Sequence, residues 1–378
     1  MIYVFDFDSH GRTHLPFNSL VIKIIATAYP DHPLVFWAQS QHIAALQEEM
    51  GLFPASVSFQ ALPEFPETKS TCFLIRQPRI GPIAHLANLD LPENTIVLGA
   101  TGTFLKQLFR EKHLFSKSNF DIVFHATISA LGYKQSLASR ILKRDLFTIF
   151  KLKFPPQLRF VLLEQAIERN LRKFLLATTK TTTLEHPVEE RPMASGGSLG
   201  HDRLRIAFLG GATKAKGFEV FAAGASKNNP KVEFHCIGSA PSSYDSDLDD
   251  RFATPPQRTP LPQAEFDQRV GLMDLICLPL DPIYYNWAAS GTLADCIRFG
   301  IPPITIRNDV VTDLESRYGR FGYIFDAAEE IPEFLAKIDF TTVGSDLPPF
   351  KNTLARISRD RSVSTLSRVF SLNNGSPG

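Results

Sequence analysis

The 378-residue chain has no Cys-x-x-Cys pair and no Cys/His cluster at metal-ligand spacing. Its four cysteines (Cys72, Cys236, Cys277 and Cys296) are scattered. That pattern excludes a disulfide framework and reads as buried thiols in a reducing compartment. No run approaches the roughly 18 apolar residues that a membrane-crossing helix needs. The start, MIYVFDFDSHG, lacks a basic region followed by an apolar one, so no secretory leader is expected. Charge of one sign is also lacking: the net charge is +1, which gives no global electrostatic reason to expect a nucleic-acid partner. No internal repeat of fixed short period is present. These absences predict a cytoplasmic protein, at most peripheral on the inner face of a membrane.

What is present is an alternation of two periods. Strand-like IYVFD, LVFWAQ, VSFQAL, TIVLGAT and FDIVFHAT are separated by helix-like stretches such as NSLVIKIIATAYP, HIAALQEEMG and TFLKQLFREKHLF. Residues 160–176 (FVLLEQAIERNLRKFLL) carry helical periodicity. TTKTTTLEHPVEERPMASGGSLGHDR is rich in Thr, Pro, Gly, Ser and charge and reads as a connector. The alternation then restarts with LRIAFLG, a helix from about Lys216 to Ala225, KVEFHCIG, LICLPL, PPITI and GYIF. Such alternation implies βαβ units, hence an α/β fold with mostly parallel sheets. The length suits two domains. The expected division is an N-terminal domain over 1–180, a linker over 181–203, a second domain over 204–345 and a helical tail over 346–378. The tail is expected to pack back on the first domain.

In open α/β sheets ligands sit where strands end and helix N-termini begin. Three loops in the second half qualify. In LGGATKAKGFEV, Gly210 and Gly211 admit close backbone approach, and Lys214 and Lys216 supply cations, a combination suited to phosphate. Taken alone, the loop is equally a glycine turn with solvated lysines. In LPLDPIYYNWAASGTLADC, an aromatic loop containing Tyr284 delivers Ser290, Gly291 and Thr292 to a helix. The free N–H groups and positive dipole there favour an anion, and Gly291 removes a Cβ that would block it. Asp295, one turn on, could accept hydrogen bonds from vicinal sugar hydroxyls, or could merely complement the dipole. The third loop, GSAPSSY, is a weaker candidate.

LGGATKAKG, MDLICLPL and SGTLADCIRFGIPPI together resemble the C-terminal domain of retaining GT-B glycosyltransferases, the large group often called family 4. LEHPVEE resembles the segment that crosses between their domains. The resemblance covers roughly residues 180–330. It implies the GT-B fold, two Rossmann-like domains facing each other across a cleft. It further implies a donor site in which Lys216 and Lys214 neutralise a diphosphate, Gly291 and Thr292 bind it through backbone, and Asp295 holds the ribose. The family often has two glutamates in the last motif. Here the second corresponds to Asp295, and the earlier position holds Trp287. Gly210-Gly211 stands where an arginine often precedes the lysine.

In the N-terminal half, DFDSHGRTH follows the first strand and offers Asp8, His10, Gly11, Arg12 and His14. His125 ends the strand FDIVF, where similar enzymes often keep a histidine near the reacting sugar. Asp8 and His125 are the catalytic candidates, and His10, Gly11, Arg12 and His14 the acceptor-binding ones. Each lone histidine has an equally plain reading as a hydrogen-bonded or surface residue. No Asp-x-Asp sits at a strand end of the second half, and DSDLDD reads as a solvated loop, so no metal and no cofactor are expected. Residues 134–173 hold ten Lys/Arg against three Asp/Glu, which suggests an anionic membrane surface or a solvated helix face. The expected function is metal-independent, retaining transfer of a sugar from a UDP- or GDP-linked donor to a saccharide or lipid-linked acceptor. The alternatives are a nucleotide-sugar epimerase of the same fold and a non-catalytic nucleotide-sugar-binding or scaffold protein.

Overall fold

The computed structural model describes residues 1–65, 81–125, 127–133, 145–190, 202–241 and 244–371. Cys72, positions 134–144 of the basic segment, positions 191–201 of the connector, Ser242 and Ser243 of the third loop and the NNGSPG end lie outside the described residues. The chain divides into two compact units, the first containing residues 1–185, 287–289 and 366–371, the second residues 186–286 and 290–365.

The first unit is built on a seven-stranded sheet of β1 (Ile2–Asp6), β2 (Leu34–Ala38), β3 (Val57–Ala61), β4 (Asn94–Leu98), β5 (Asn119–Phe124), β6 (Leu158–Leu163) and β7 (Lys180–Leu184). The order is β3-β2-β1-β4-β5-β6-β7, and every neighbouring pair is parallel. Strand order reverses between β1 and β4, so the loops leaving their carboxyl ends part there and leave a crevice. Two expectations are corrected. The apolar start of 160–176 is strand, not helix: all six residues of β6 are buried, and only Gln165–Arg172 is helical. A strand buried on both faces reads as a continuous apolar run, and its periodicity cannot be told from a buried helix. KTTTL, read as connector, is the edge strand β7. There the Glu168 carboxylate accepts from the hydroxyls of Thr181 and Thr183.

Between β5 and β6 the Arg159 guanidinium grips Asp121 through two bonds, Nε to Oδ1 at 2.8 Å and Nη2 to Oδ2 at 2.6 Å. Removing either partner would leave a buried charge, at a cost of about 3–5 kcal/mol. Arg159 Nη1 also donates to the Val369 carbonyl, and Tyr29 Oη donates to that of Phe370. These bonds tie residues 366–371 into the first unit, while the helix Leu347–Asp360 belongs to the second.

The second unit has a five-stranded parallel sheet of β8 (Leu204–Leu209), β9 (Val232–Ile237), β10 (Leu275–Leu278), β11 (Pro303–Ile306) and β12 (Tyr323–Phe325), ordered β12-β11-β10-β8-β9. Its switch point lies between β8 and β10. Phenylalanines fill one face: Phe221 stacks on Phe252 at 5.7 Å, and Phe208 meets Phe218 edge-on at 5.3 Å. The helix expected from Lys216 is interrupted. Lys214–Lys216 form one 3-10 turn, Gly217 turns left-handed at φ 76°, and the helix runs from Phe218 to Ala225. A Cβ on Gly217 would overlap the Pro279 carbonyl, so only glycine lets the β8 and β10 loops approach this closely.

Candidate functional site

In the second unit the loops after β8 and β10 converge on the N-terminus of the helix Gly291–Phe299. Ser290 starts that helix: its Oγ accepts from Leu293 N at 3.2 Å and bonds to Thr292 Oγ1 at 2.9 Å. Gly300 ends it at φ 64°. Leu293 and Ala294 N–H groups are satisfied by Ser290, and helix geometry leaves the Gly291 and Thr292 amides without an intrahelical acceptor. Gly291 is exposed, and a Cβ there would meet open space. The blocking Cβ expected at this position therefore matters only to whatever occupies that space.

Lys216 reaches the same place from the β8 loop. Its ammonium lies 2.5 Å from where a Cβ on Gly210 would be, and the Thr292 methyl lies 3.6 Å from that point. Gly210 has φ 83°, so the left-handed turn and the seat for the ammonium come from one residue. Desolvation pushes the Lys216 pKa below the ordinary ammonium value, and the Asp295 carboxylate pulls it partly back. The structure thus brings Gly210, Lys216, Thr292 and Asp295 together. Lys214 is exposed on the outer side of its turn, and Tyr284 lies half-buried with its ring 4.9 Å from Tyr285. A Cβ on Gly211 would meet the Thr213 methyl at 3.7 Å, an ordinary contact. Gly238, which opens the third candidate loop, has φ 156°, and a Cβ there would overlap the Gly210 carbonyl. Trp287 belongs to the first unit, where its ring lies 5.8 Å from Phe174.

In the first unit, Asp8 follows β1, Gly99 follows β4 and His125 follows β5. A Cβ on Gly99, at φ 82°, would sit 3.1 Å from Asp8 Oδ2. Desolvation, and then the Asp6 carboxylate, push the Asp8 pKa above the usual carboxylate range. His14 stands in left-handed backbone at φ 59°, a conformation costing a non-glycine residue on the order of 1 kcal/mol. Its ring meets that of His125 edge-on with centroids 4.1 Å apart, and Phe17 covers His125 at 4.4 Å. Desolvation holds the His14 pKa below the ordinary histidine value. His10 and Arg12 point elsewhere: His10 Nδ1 bonds to Gln39 Oε1 at 2.6 Å, and Arg12 pairs with Glu49.

Sequence reasoning missed the polar bracket beneath this loop. Asp6, 2% exposed, accepts from the amides of Asp8 and Ser9 on Oδ1 and from Asn18 Nδ2 on Oδ2. Asn18 Nδ2 also lies 2.8 Å from His42 Nε2, and His42 Nδ1 lies 2.7 Å from the Gly11 carbonyl. A carbonyl can only accept, so Nδ1 carries the proton and Nε2 accepts from Asn18. The available signal was Asn18 itself, a polar residue in the apolar run LPFNSLVIKII.

Neither a protein-family model nor a curated protein matches the chain. Solved structures do. The Anabaena protein Alr3699/HepE, in complex with UDP and glucose, superposes with a TM-score of 0.65 at 12% identity, covering 99% of each chain. The fold is GT-B. The expectation drawn from the three sequence motifs holds at that level. Sucrose-phosphate synthase from Thermosynechococcus elongatus matches with TM-score 0.62 and 12% identity over 99% of this chain and 96% of that one. WaaG, a glycosyltransferase involved in lipopolysaccharide biosynthesis, matches with TM-score 0.61 and 11% identity over 100% of both. At such identities the likeness establishes architecture, and the GT-B site residues must be argued from this chain. Among the described residues, no helix is long and apolar enough to cross a membrane, and no group of three His, Cys, Asp or Glu could hold a metal ion.

Proposed function

We propose that this GT-B protein is a glycosyltransferase that moves a sugar from a nucleoside-diphosphate donor, UDP- or GDP-linked, to a saccharide or lipid-linked acceptor. The observation that carries the proposal is the Lys216 ammonium seated over Gly210, beside Asp295 and the first turn of the helix Gly291–Phe299. A cation taken out of water beside free amides is arranged for an anion. The diphosphate would rest on the Gly291 and Thr292 amides and Lys216, with Lys214 closing from solvent. Asp295 would then exchange its hold on Lys216 for the ribose hydroxyls. As the sugar leaves, the same cation and dipole would stabilise the charge developing on the phosphate, which calls for no metal. In the first unit Asp8, His14 and His125 would face the acceptor and the reacting sugar. Retention of configuration follows from the family resemblance. Lys151 and Lys153, both exposed, would suit an anionic membrane surface if the acceptor is lipid-linked.

A second reading keeps the donor site and drops the transfer. Trp287 replaces a family acid and packs on Phe174, so the chain would bind a nucleotide sugar without using it. Incubating the protein with UDP- and GDP-hexoses and a panel of saccharide acceptors separates the readings. The proposal expects a glycosidic product, or slow donor hydrolysis when no acceptor fits. Isomerised donor would point to an epimerase, and donor that binds but returns unchanged would point to a non-catalytic binder.

A further inference from the structure

The bracket formed by Asp6, Asn18 and His42 is hydrogen-bonded, interior and unused by the donor chemistry. His42 is 0% exposed and Asn18 2%. An apolar pair of similar volume would fill this space without the desolvation of two polar side chains. What the polar pair adds is a grip on the backbone. His42 holds the Gly11 carbonyl, whose direction is set by a left-handed residue at φ 50°. Asp6 holds the amides of Asp8 and Ser9. Asn18 joins the two side chains, and its own amide donates to the His14 carbonyl at 2.9 Å. The segment from Asp8 to His14 is therefore fixed at its start, middle and end by one connected set of bonds.

We infer that His42 is a positioning residue for loop 8–14, seating the His14 ring against His125 through the Gly11 carbonyl and steadying the Asp8 end through Asn18 and Asp6. His14 pays for its left-handed backbone by reaching that ring, and a strained residue persists only where its surroundings over-determine it. His42 supplies the far anchor. The inference deepens the proposed function, because it assigns the part of the first unit that orients the acceptor-side groups. Its ligand-free readout stands or falls without any transfer activity.

The two ring nitrogens of His42 can be replaced one at a time. In His42→Asn the amide nitrogen takes the place of Nδ1 and still donates to Gly11, while the acceptor for Asn18 is lost. In His42→Gln the amide oxygen takes the place of Nε2 and still accepts from Asn18, while the Gly11 carbonyl is released. The full-length protein is compared in these two forms and the wild type. The measurements are NMR of the His14 and His125 imidazoles, hydrogen exchange at the Asp8 and Ser9 amides, and thermal midpoint. The expected result is that His42→Gln, which releases Gly11, moves both imidazole resonances, while His42→Asn, which takes the acceptor from Asn18 and loosens its hold on Asp6, speeds exchange at the two amides at least tenfold. His42→Asn should keep wild-type shifts even if its midpoint falls as far. With UDP-glucose and a working acceptor, His42→Gln should lower kcat by about tenfold or more while leaving donor KM unchanged. If the two variants lose stability alike with unmoved imidazoles, His42 is only a packing residue and the inference is overturned. If the imidazoles move as expected and no donor turns over in the wild type, the positioning stands and the proposed function fails.

Discussion

The two units carry the same device with opposite charge. In the second, the left-handed Gly210 (φ 83°) has the Lys216 ammonium over it; in the first, the left-handed Gly99 (φ 82°) has the Asp8 carboxylate over it. Both glycines lie at a switch point of a parallel sheet, where strand order reverses and loops part. The fold therefore fixes where a ligand can lie, and a single side chain on the covering loop fixes what kind. A desolvated cation beside a helix N-terminus suits a diphosphate. A desolvated carboxylate backed by Asp6 suits hydroxyl groups and repels phosphate.

The largest effects should come from filling the space under each charge. Gly210→Ala puts a Cβ 2.5 Å from Lys216 Nζ in a backbone region that alanine avoids, and Gly99→Ala puts one 3.1 Å from Asp8 Oδ2 in the same region. Each should lower stability by about 1–3 kcal/mol, read as a fall in thermal midpoint. Only Gly210→Ala should also weaken UDP binding, because only there does the displaced head belong to the proposed donor site. Equal loss of UDP affinity in both would break the comparison.

Smaller effects follow from the two pKa shifts. The folded state raises the Asp8 pKa, so its tighter hold on the proton stabilises fully below the ordinary carboxylate range and is lost as pH rises through the raised value. Asp8→Asn should therefore gain stability over wild type near neutrality and gain nothing in acid near pH ~3. For Lys216 the folded pKa is lowered, so its contribution is present above the ordinary ammonium value and lost as pH falls through the lowered one. Lys216→Met should accordingly gain near neutrality and lose that advantage above pH ~10. Denaturant titrations at two pH values check both. A loss of stability at neutral pH in either variant would show that the charge serves the fold.

The second unit was the more legible half of the sequence. SGTLADCIRFG carries its own start and stop, Ser290 and Gly300, and LGGATKAKG carries glycines and cations within a few residues, so local chemistry announces the site. The first unit hides its equivalent. Asp6, Asn18 and His42 meet across separations of 12 and 24 residues, and each alone is an ordinary polar residue. β6 and β7 were misread for related reasons. The FVLL run of β6 is apolar and buried on both faces, and β7 is an edge strand of threonines whose partner, Glu168, lies on the preceding helix. GSAPSSY was legible as a loop, but the role of its Gly238 is to admit another loop's carbonyl, which no local pattern records.

The central claim is that Lys216, and not the comparable charge of the first unit, receives the donor diphosphate. Calorimetric titration of UDP into wild type, Lys216→Ala and Asp8→Ala tests it most directly. The account predicts that Lys216→Ala weakens binding by about tenfold or more, the loss of a charge-assisted contact of about 1.5–3 kcal/mol, while Asp8→Ala leaves it unchanged. Wild-type affinity in a folded Lys216→Ala, or an equal loss in both variants, would contradict it.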